Sequence, residues 1–483
     1  MGCLLGALLA PAPQWQRPSP RAVRGDKAVV TYARTFAEFS DNLSWNRLPK
    51  DVALRIKSCV LDVLGICLAA SKQRYARAIA QQFIDAGGAP QSSVLGRNAR
   101  LPMASAALIN GSFSHGIEFD DSHLAAAMHP SSVIVPACLA VAEARRSTGR
   151  QFLEAVAAGL EVMIRIGKAG HSAEGFHHRG LHPTSLAGVF GAALAASKLL
   201  GLSSDECVWS QGLAGSMASG STEFLQDISW GKRMAAGWAA HGGVIAAQLA
   251  QRGFTAPSTI YEGRWGLYES HLRVPNYSLA PLAEGLGSNW EATNLIARRY
   301  PCCARIPPFI SATLSILQSE GLTWPEIQAI EIGAQTGDSI VCDPWSAKLE
   351  PADGYAAQFS LPYCVAATVR YGRLTMSEFD EAALSDSELK VLMGRLTHWT
   401  GSLDDSRGHL LVRTFEGRMI ERTVAVELPM SWAEIQDKFL AIAADAIGAS
   451  DAARIVRMVK ELEDLPDIGA LANSCQSASR HHS

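Results

Sequence analysis

The chain lacks several features that would place it in a familiar functional class. Its 483 residues carry 43 Lys and Arg against 46 Asp and Glu, so it has no basic excess of the kind that nucleic-acid binders show. Its ten cysteines include no C-x-x-C spacing, the commonest sign of a zinc or redox motif. No uncharged apolar segment reaches the roughly 18 residues of a membrane-spanning helix. We therefore predict no nucleic-acid partner and no membrane insertion.

Apolar and small residues are abundant instead. Hydrophobic residues make up 48% of the chain and charged residues 18%, a composition typical of a well-buried globular protein. The length exceeds one ordinary core, which predicts more than one domain. Residues 1–28 differ from the rest, being rich in Pro and Arg with no acidic residue before Asp26. We interpret them as a leader, either unstructured or a transit peptide, and predict a cytoplasmic or mitochondrial location.

Hydrophobic periodicity predicts a mainly α protein with a smaller α+β part. Helical spacing is found over 51–70, 151–166, 185–200, 359–369, 377–392, 432–446 and 451–462. Alternation with period two predicts strands over 327–336 and 410–428. The pattern indicates an α+β domain that follows the helical one, and a helical tail that packs back onto the first domain.

The densest group of ionisable side chains lies in residues 115–129. Its carboxylates are Glu118, Asp120 and Asp121, and its imidazoles are His115, His123 and His129. Charges are costly to bury in such apolar surroundings, so a cluster of this kind is usually paired or functional. The flanking apolar segments predict a turn between two buried helices, facing a cavity. Asp120, Asp121 and His123 are also candidate ligands of a divalent cation, although their spacing matches no standard metal motif.

Two histidines share one sequence context. His129 and His182 each precede a proline at the entry to an apolar helix. Because imidazole titrates near neutral pH, the two could act as an acid/base pair. The alternative for each is a structural histidine.

Two pairs of cations lie beside predicted structural boundaries. Lys232 and Arg233 precede a helix of small residues, where free N–H groups would reinforce carboxylate binding. Arg298 and Arg299 precede Tyr300-Pro at the start of the α+β part, where guanidinium groups could clamp carboxylates. A solvated Lys-Arg pair is the alternative for the first. The adjacent Cys302 and Cys303 are weaker candidates for a thiol nucleophile.

Taken together, these segments resemble the MmgE/PrpD family, a group of dehydratases, decarboxylases and epimerases of citrate- and aconitate-like acids. The matching segments are Asn110-Gly-Ser, Glu118-Phe-Asp-Asp-Ser-His, His129-Pro-Ser-Ser, Gly159-Leu-Glu-Val-Met-Ile-Arg-Ile-Gly, His182-Pro-Thr-Ser, Glu262-Gly-Arg-Trp-Gly-Leu-Tyr, Tyr300-Pro-Cys-Cys and Phe359-Ser-Leu-Pro-Tyr. They span about residues 30–465 in the order of the family.

The resemblance implies an architecture and a site. It implies a large all-helical domain formed from both chain ends, here 29–276 with 430–470, a smaller α+β lid domain over 277–429, and a homodimer that uses neither metal nor cofactor. The pocket residues that it implies are Glu118, Ser122, His129, His182, Lys232 and Arg298. We predict that His129, His182 and Lys232 are catalytic and that Glu118, Ser122, Arg233, Arg298 and Tyr300 bind the substrate. Arg298 stands where the family has a lysine, and Ala235-Ala236 stand where it often has a polar residue.

We predict a metal-independent lyase acting on a small citrate- or aconitate-like polycarboxylate, by dehydration or decarboxylation. Histidine would transfer the proton while Lys and Arg bind the carboxylates. The alternatives are an epimerase or isomerase of an amino- or imino-dicarboxylate, a catalytically silent binding homologue, and a metallohydrolase. Asp120-Asp121-Ser122-His123 differs from the motif of the methylcitrate dehydratase branch, which weakens assignment to that branch.

Overall fold

The first part of the chain folds into long helices that small residues allow to pack closely. The computed structural model describes residues 30–171, 174–272, 277–401 and 407–476; the predicted leader lies outside them. The helices of this part are α1 (Tyr32–Asn42), α2 (Lys50–Ala70), α3 (Arg74–Ala86), α4 (Met103–His115), α5 (Ser131–Arg145), α6 (Gly149–Ala169), α7 (Pro183–Leu200), α8 (Ser204–Met217), α9 (Gly231–Gln251), α10 (Leu267–Leu272) and α11 (Ala280–Ala283). A two-stranded antiparallel hairpin, β1 (Ser92–Ser93) with β2 (Arg100–Leu101), interrupts them.

Helix α7 lies at the centre of this helical part and packs against α5, α6, α8 and α9. It is the one helix of the described ranges that is long and apolar enough to cross a membrane, and 94% of it is buried inside the protein. Neighbouring helices cover it on all sides, which explains why its apolar residues do not follow one face. Gly201 ends it in the left-handed conformation, which glycine adopts readily.

Helices α4 and α9 cross at a pair of glycines. A Cβ atom built on Gly111 would lie 2.7 Å from Cα of Gly237, and one built on Gly237 would lie 2.1 Å from the carbonyl oxygen of Leu108. Only glycine allows the two backbones to come this close. The crossing sets the position of the first turn of α9 relative to the loop that follows α4.

A second hydrophobic core lies between residues 302 and 424. Its helices are α12 (Pro307–Glu320), α13 (Ser339–Cys342), α14 (Trp345–Leu349), α15 (Gly354–Ala357), α16 (Leu361–Tyr371), α17 (Glu381–Leu384) and α18 (Ser387–Met393), and its strands are β3 (Ile327–Gln335), β4 (Leu396–Gly401), β5 (Gly408–Thr414) and β6 (Met419–Val424). The strand order is β4-β3-β5-β6. Strands β3 and β4 are parallel and the other pairs antiparallel, with Ile332 opposite Leu410.

The last helices return to the first core. These are α19 (Trp432–Ile447), α20 (Ala449–Lys460) and α21 (Gly469–Ser474). Helix α19 packs along α2, where Phe439 lies against Gly65. The first core therefore combines residues from both ends of the chain, and the predicted mainly α fold with a smaller α+β part is confirmed.

Local predictions differ from the structure at two places. The predicted strand 410–428 is a hairpin, because the chain turns at Gly417, whose φ is +83°. The predicted helix 377–392 is broken into short pieces, because Asp380 and Asp386 each cap a new helix start with their side chains. The residue limits of the two predicted domains stay a prediction.

Candidate active site

A cavity of about 370 Å³ lies where the two hydrophobic cores meet. Six of the predicted site residues line it: Glu118, Ser122, His129, His182, Lys232 and Arg298. They come from four separate segments: the α4–α5 loop, the start of α7, the first turn of α9, and the loop before α12. The second core contributes the opposite side, which includes Cys303, Arg305, Phe359 and Arg407.

Glu118 is the centre of a buried ion-pair network. Its side chain is fully buried and its backbone adopts a positive φ of 53°, which is uncommon for any residue but glycine. The Lys232 ammonium donates to both carboxylate oxygens, and Arg298 donates to Oε2 at 3.0 Å. Burial raises the pKa of Glu118, but Lys232 and Arg298 outweigh it and bring the pKa down to about 2. Glu118 is therefore an anion, and it forms ion pairs with both Lys232 and Arg298.

His129 is a neutral imidazole that lies between a backbone carbonyl and Arg298. Its Nδ1 lies 2.8 Å from the carbonyl oxygen of Asp121, and the Arg298 guanidinium lies 3.1 Å from Nδ1 and 3.4 Å from Nε2. The carbonyl oxygen can only accept and the guanidinium can only donate, so a proton on Nδ1 satisfies the carbonyl and leaves Nε2 to accept from Arg298. Burial lowers the pKa of His129, and Arg298 and Lys232 lower it further, to about 3 even with Asp120 nearby. The ring is therefore uncharged at neutral pH.

Two more imidazoles lie beside His129. The ring of His115 is 5.3 Å from that of His129 and 5.6 Å from that of His182, measured between centroids. Burial lowers the pKa of His182 well below its ordinary value, and the neighbouring cations and imidazoles act in the same direction. His115 is fully buried and its Nδ1 donates to Asp120 at 2.7 Å. Within the described residues, Nε2 of His115 has no hydrogen-bond partner.

Asp120 completes the buried charge balance behind the cavity. Arg298 forms an ion pair with it at 3.1 Å. Burial raises the pKa of Asp120, but His115, His129 and Arg298 hold it well below its usual range. We call Glu118, Asp120, His129, His182, Lys232 and Arg298 the histidine wall. Its two carboxylates match its two permanent cations.

The second core contributes a different set of charges. Arg305 donates to Oδ1 of Asp338 at 2.9 Å, and Arg407 donates to the same oxygen at 3.3 Å. Asp338 is fully buried and lies just beyond the end of β3. We call these three residues the arginine wall. Two guanidinium groups here share one carboxylate, so the arginine wall carries excess positive charge.

Two predicted binding residues do not line the cavity. The Arg233 guanidinium is stacked 3.8 Å from the ring of Tyr355 and 4.2 Å from that of Tyr75. Tyr355 in turn donates to Glu118 at 3.3 Å, so Arg233 reaches the site through it. Tyr300 accepts from Ser311 at 3.4 Å on the side of the second core.

The remaining members of the 115–129 cluster brace the loop. Ser131 donates its backbone N–H and its hydroxyl to Asp121, at the start of α5. Burial raises the pKa of Asp121 to about 7, although the hydrogen bond from Ser131 opposes this. His123 accepts from the N–H of Ala126 and lies 3.2 Å from Glu291. Across the described ranges, no group of three or more His, Cys, Asp or Glu is arranged to hold a metal ion.

The thiol alternative has little support from the geometry. Cys302 and Cys303 are both buried, and only Cys303 of the two lines the cavity. Burial raises the pKa of both thiols, which disfavours the thiolate that a nucleophile requires.

Comparison with known protein families identifies the family of this chain. The sequence model of the MmgE/PrpD N-terminal domain matches residues 34–280, and that of the MmgE/PrpD C-terminal domain matches residues 300–464. The chain belongs to the MmgE/PrpD family. The predicted resemblance is confirmed, and the cavity of this MmgE/PrpD protein lies where the two matched regions meet.

Full-length relatives add a reaction class. A cis-aconitate decarboxylase-like protein of Aspergillus oryzae is 29% identical over 88% of this chain and 93% of its own length. The cis-aconitate decarboxylase of Homo sapiens is 25% identical over 93% and 96%. The 2-methylcitrate dehydratase of Cupriavidus necator is 25% identical over 80% and 78%. Decarboxylases and dehydratases are lyases, so the prediction that this MmgE/PrpD protein is an enzyme of the lyase class is confirmed.

Sequence reasoning missed part of the site. His115 was assigned no function and Asp120 only that of a candidate cation ligand, although their spacing of five residues within the charged cluster was a usable signal. Arg305 lies two residues after Cys303 and was a weaker signal. Arg407 and Asp338 gave none, because only the β3–β5 pairing brings their segments together.

Proposed function

We propose that this protein removes CO₂ or water from a citrate- or aconitate-like polycarboxylate, without a metal or cofactor. The observation that carries the proposal is the neutral His129 at a cavity that Lys232 and Arg298 also line. The names of the full-length relatives support a small polycarboxylate as substrate. Decarboxylation of cis-aconitate is the first reaction to test, because the decarboxylase relatives cover more of this chain than the dehydratase does.

His129 is the proposed proton carrier in either reaction. In decarboxylation the C–C bond to one carboxylate breaks, CO₂ leaves, and the electron pair is delocalised onto the remaining conjugated system. His129, which has first taken a proton from solvent, gives that proton to the carbon and returns to its neutral form. In dehydration a proton next to a carboxylate moves to His129 and the electron pair forms the double bond. The departing hydroxide takes that proton from His129 and leaves as water, so the ring is neutral again. A bound trianion raises the pKa of His129, which fits it for both directions of transfer.

The charged residues have proposed roles around this step. Lys232 and Arg298, whose side chains are both buried, stabilise the negative charge that develops on the substrate. Glu118 holds both cations in place, and Ser122, whose hydroxyl lies 3.1 Å from Nδ1 of His129, orients the ring or the substrate. His182 is the second proposed acid/base group.

An incubation panel tests the proposal. The purified protein is incubated with cis-aconitate, citrate and 2-alkylcitrates, and mass spectrometry follows loss of CO₂ or of water. We expect one of these losses, and we expect it to persist after treatment with a chelator. Absence of turnover on every compound contradicts the proposed reaction, and loss of activity on chelation contradicts its metal independence.

An epimerase is the second candidate, because two imidazoles with lowered pKa line the same cavity. A base and an acid on opposite faces of one carbon would invert it. Deuterium incorporation from solvent at that carbon, without loss of CO₂ or water, would favour this reaction. The homodimer, the lid domain and the cytoplasmic or mitochondrial location remain predictions that carry over from the sequence.

A further inference from the structure

The histidine wall alone offers little net attraction to a polyanion. Lys232 and Arg298 are both paired with Glu118, and Arg298 is also paired with Asp120. The histidines of this wall that line the cavity have pKa values below neutrality, and they add no positive charge. A substrate with three carboxylates therefore needs uncompensated cations elsewhere in the cavity.

The arginine wall supplies them. Arg305 and Arg407 line the cavity, and both contact one oxygen of Asp338, while Arg407 also donates to Oε1 of Gln335 at 3.3 Å. Each guanidinium has five N–H donors, so these contacts leave most of the donors available. The other oxygen of Asp338, Oδ2, is buried and has no hydrogen-bond partner among the described residues. The carboxylate thus acts as a fixed anchor for two guanidinium groups.

Two other titratable groups lie on this side of the cavity. His177 also lines the cavity, and its pKa is lowered first by burial and then by Arg305. Glu427 is the other carboxyl on this side of the cavity; burial raises its pKa, and it accepts a hydrogen bond from Ser311 at 2.7 Å. Within the described ranges, neither His177 nor Glu427 forms an ion pair with Arg305 or Arg407.

We propose that Arg305 and Arg407, anchored by Asp338, bind the substrate carboxylate that lies farthest from the reacting carbon. This inference rests on the proposed function and adds to it a substrate requirement: a terminal carboxylate that projects from the histidine wall toward the second core. Guanidinium groups suit this role because their planar donor pairs match a carboxylate. Arg305 and Arg407 then set substrate specificity, whereas His129 performs the chemistry.

Binding of two non-reacting acids tests the proposal. Tricarballylate carries three carboxylates, and methylsuccinate is the same skeleton with one terminal CH₂COO⁻ replaced by CH₃. Calorimetry compares both acids on the wild type, Arg305→Gln, Arg407→Gln and the double variant. The matched control is Arg418→Gln, which removes a similarly exposed arginine, paired with Glu320, outside the cavity.

We expect each cavity variant to weaken tricarballylate binding about ten-fold or more, with methylsuccinate binding unchanged, and the control to alter neither. Unchanged tricarballylate binding in the double variant, or an equal loss for both acids, overturns the proposal. Circular dichroism of each variant confirms folding. If the wild type turns over nothing in the panel yet shows this selective loss, the carboxylate site stands and the proposed reaction falls. If the wild type turns over cis-aconitate and the loss of binding is not selective, the proposed reaction stands and the proposed carboxylate site falls.

Discussion

The two sides of the cavity handle charge in opposite ways. In the histidine wall, Glu118 is fully buried, Arg298 is 3% exposed, and the carboxylates match the cations. In the arginine wall, the side chains of Arg305 and Arg407 are 43% and 22% exposed, and they outnumber their one carboxylate. A buried network in which the charges are paired fixes the geometry of reacting groups. A more exposed network with excess positive charge instead attracts an anionic ligand. We therefore expect substitutions in the first to affect turnover and folding, and substitutions in the second to affect binding.

The largest expected effect is on turnover. His129→Gln removes the proton carrier but retains a polar side chain of similar size, so we expect kcat to fall by about 10²–10⁴-fold. Arg407→Gln should instead raise KM for a tricarboxylate with a much smaller change in kcat. Steady-state kinetics on the substrate found in the panel measures both. A kcat for His129→Gln within a few-fold of wild type would contradict the role of His129.

The next effect is on stability. Lys232→Met leaves the buried Glu118 with one cation fewer, and we expect a loss of about 3–5 kcal/mol in the free energy of unfolding. Arg305→Gln removes a partly exposed cation, and we expect a loss of about 1 kcal/mol or less. Denaturant unfolding compares the two. The double variant Glu118→Gln with Lys232→Met should recover part of the loss; equal destabilisation by the two single changes would mean that the walls do not differ.

Glu118 and Asp121 lie in one loop, and they should make the free energy of unfolding depend on pH in opposite directions. The folded pKa of Glu118, about 2, is below its ordinary value, so its contribution is present above pH 4.5 and is lost as the pH falls toward 2. The folded pKa of Asp121, about 7, is raised, so the folded state binds the extra proton and stability falls as the pH rises. Asp121→Asn should remove a decrease of about 2 kcal/mol between pH 5 and pH 7. Unfolding at a series of pH values checks this; identical slopes in variant and wild type would count against a raised pKa.

The smallest expected effect is on titration of His129. Arg298→Gln removes a cation that lowers the pKa of His129, so this pKa should rise toward its ordinary value of about 6.5. Arg305→Gln, from the arginine wall, should leave it in place. NMR titration of the histidine ring signals, assigned with His129→Gln, distinguishes the two. A similar shift of the His129 pKa in both variants would show that Arg305 affects His129 as strongly as Arg298 does, so that the two walls are not electrostatically separate.

Much of this architecture could be predicted from the sequence, because it depends on local periodicity. The helix over Lys50–Ala70 and the strand over Ile327–Gln335 follow from apolar spacing alone. The entry positions of His129 and His182 could also be predicted, since each precedes a proline at a helix start. The resemblance to the family then brought these segments into one site.

What could not be predicted depends on partners distant in sequence. Lys232 looked like a free cation, but Glu118, 114 residues earlier, occupies it. Arg407 carries no local signal, because its relation to Arg305 depends on both reaching Asp338. The sequence shows which charged residues are present, but it does not show which of them pair across the cavity.

The crossing of α4 and α9 has a consequence for comparing this chain with others of its family. Gly237 lies five residues after Lys232 on α9, and Gly111 lies seven residues before Glu118. An alanine at either position, one nucleotide away in the codon, would force the helices apart and move the ammonium away from its carboxylate, although every ionisable residue would be intact. A substitution of Gly111 or Gly237 would therefore disturb the site, although neither glycine is a catalytic group.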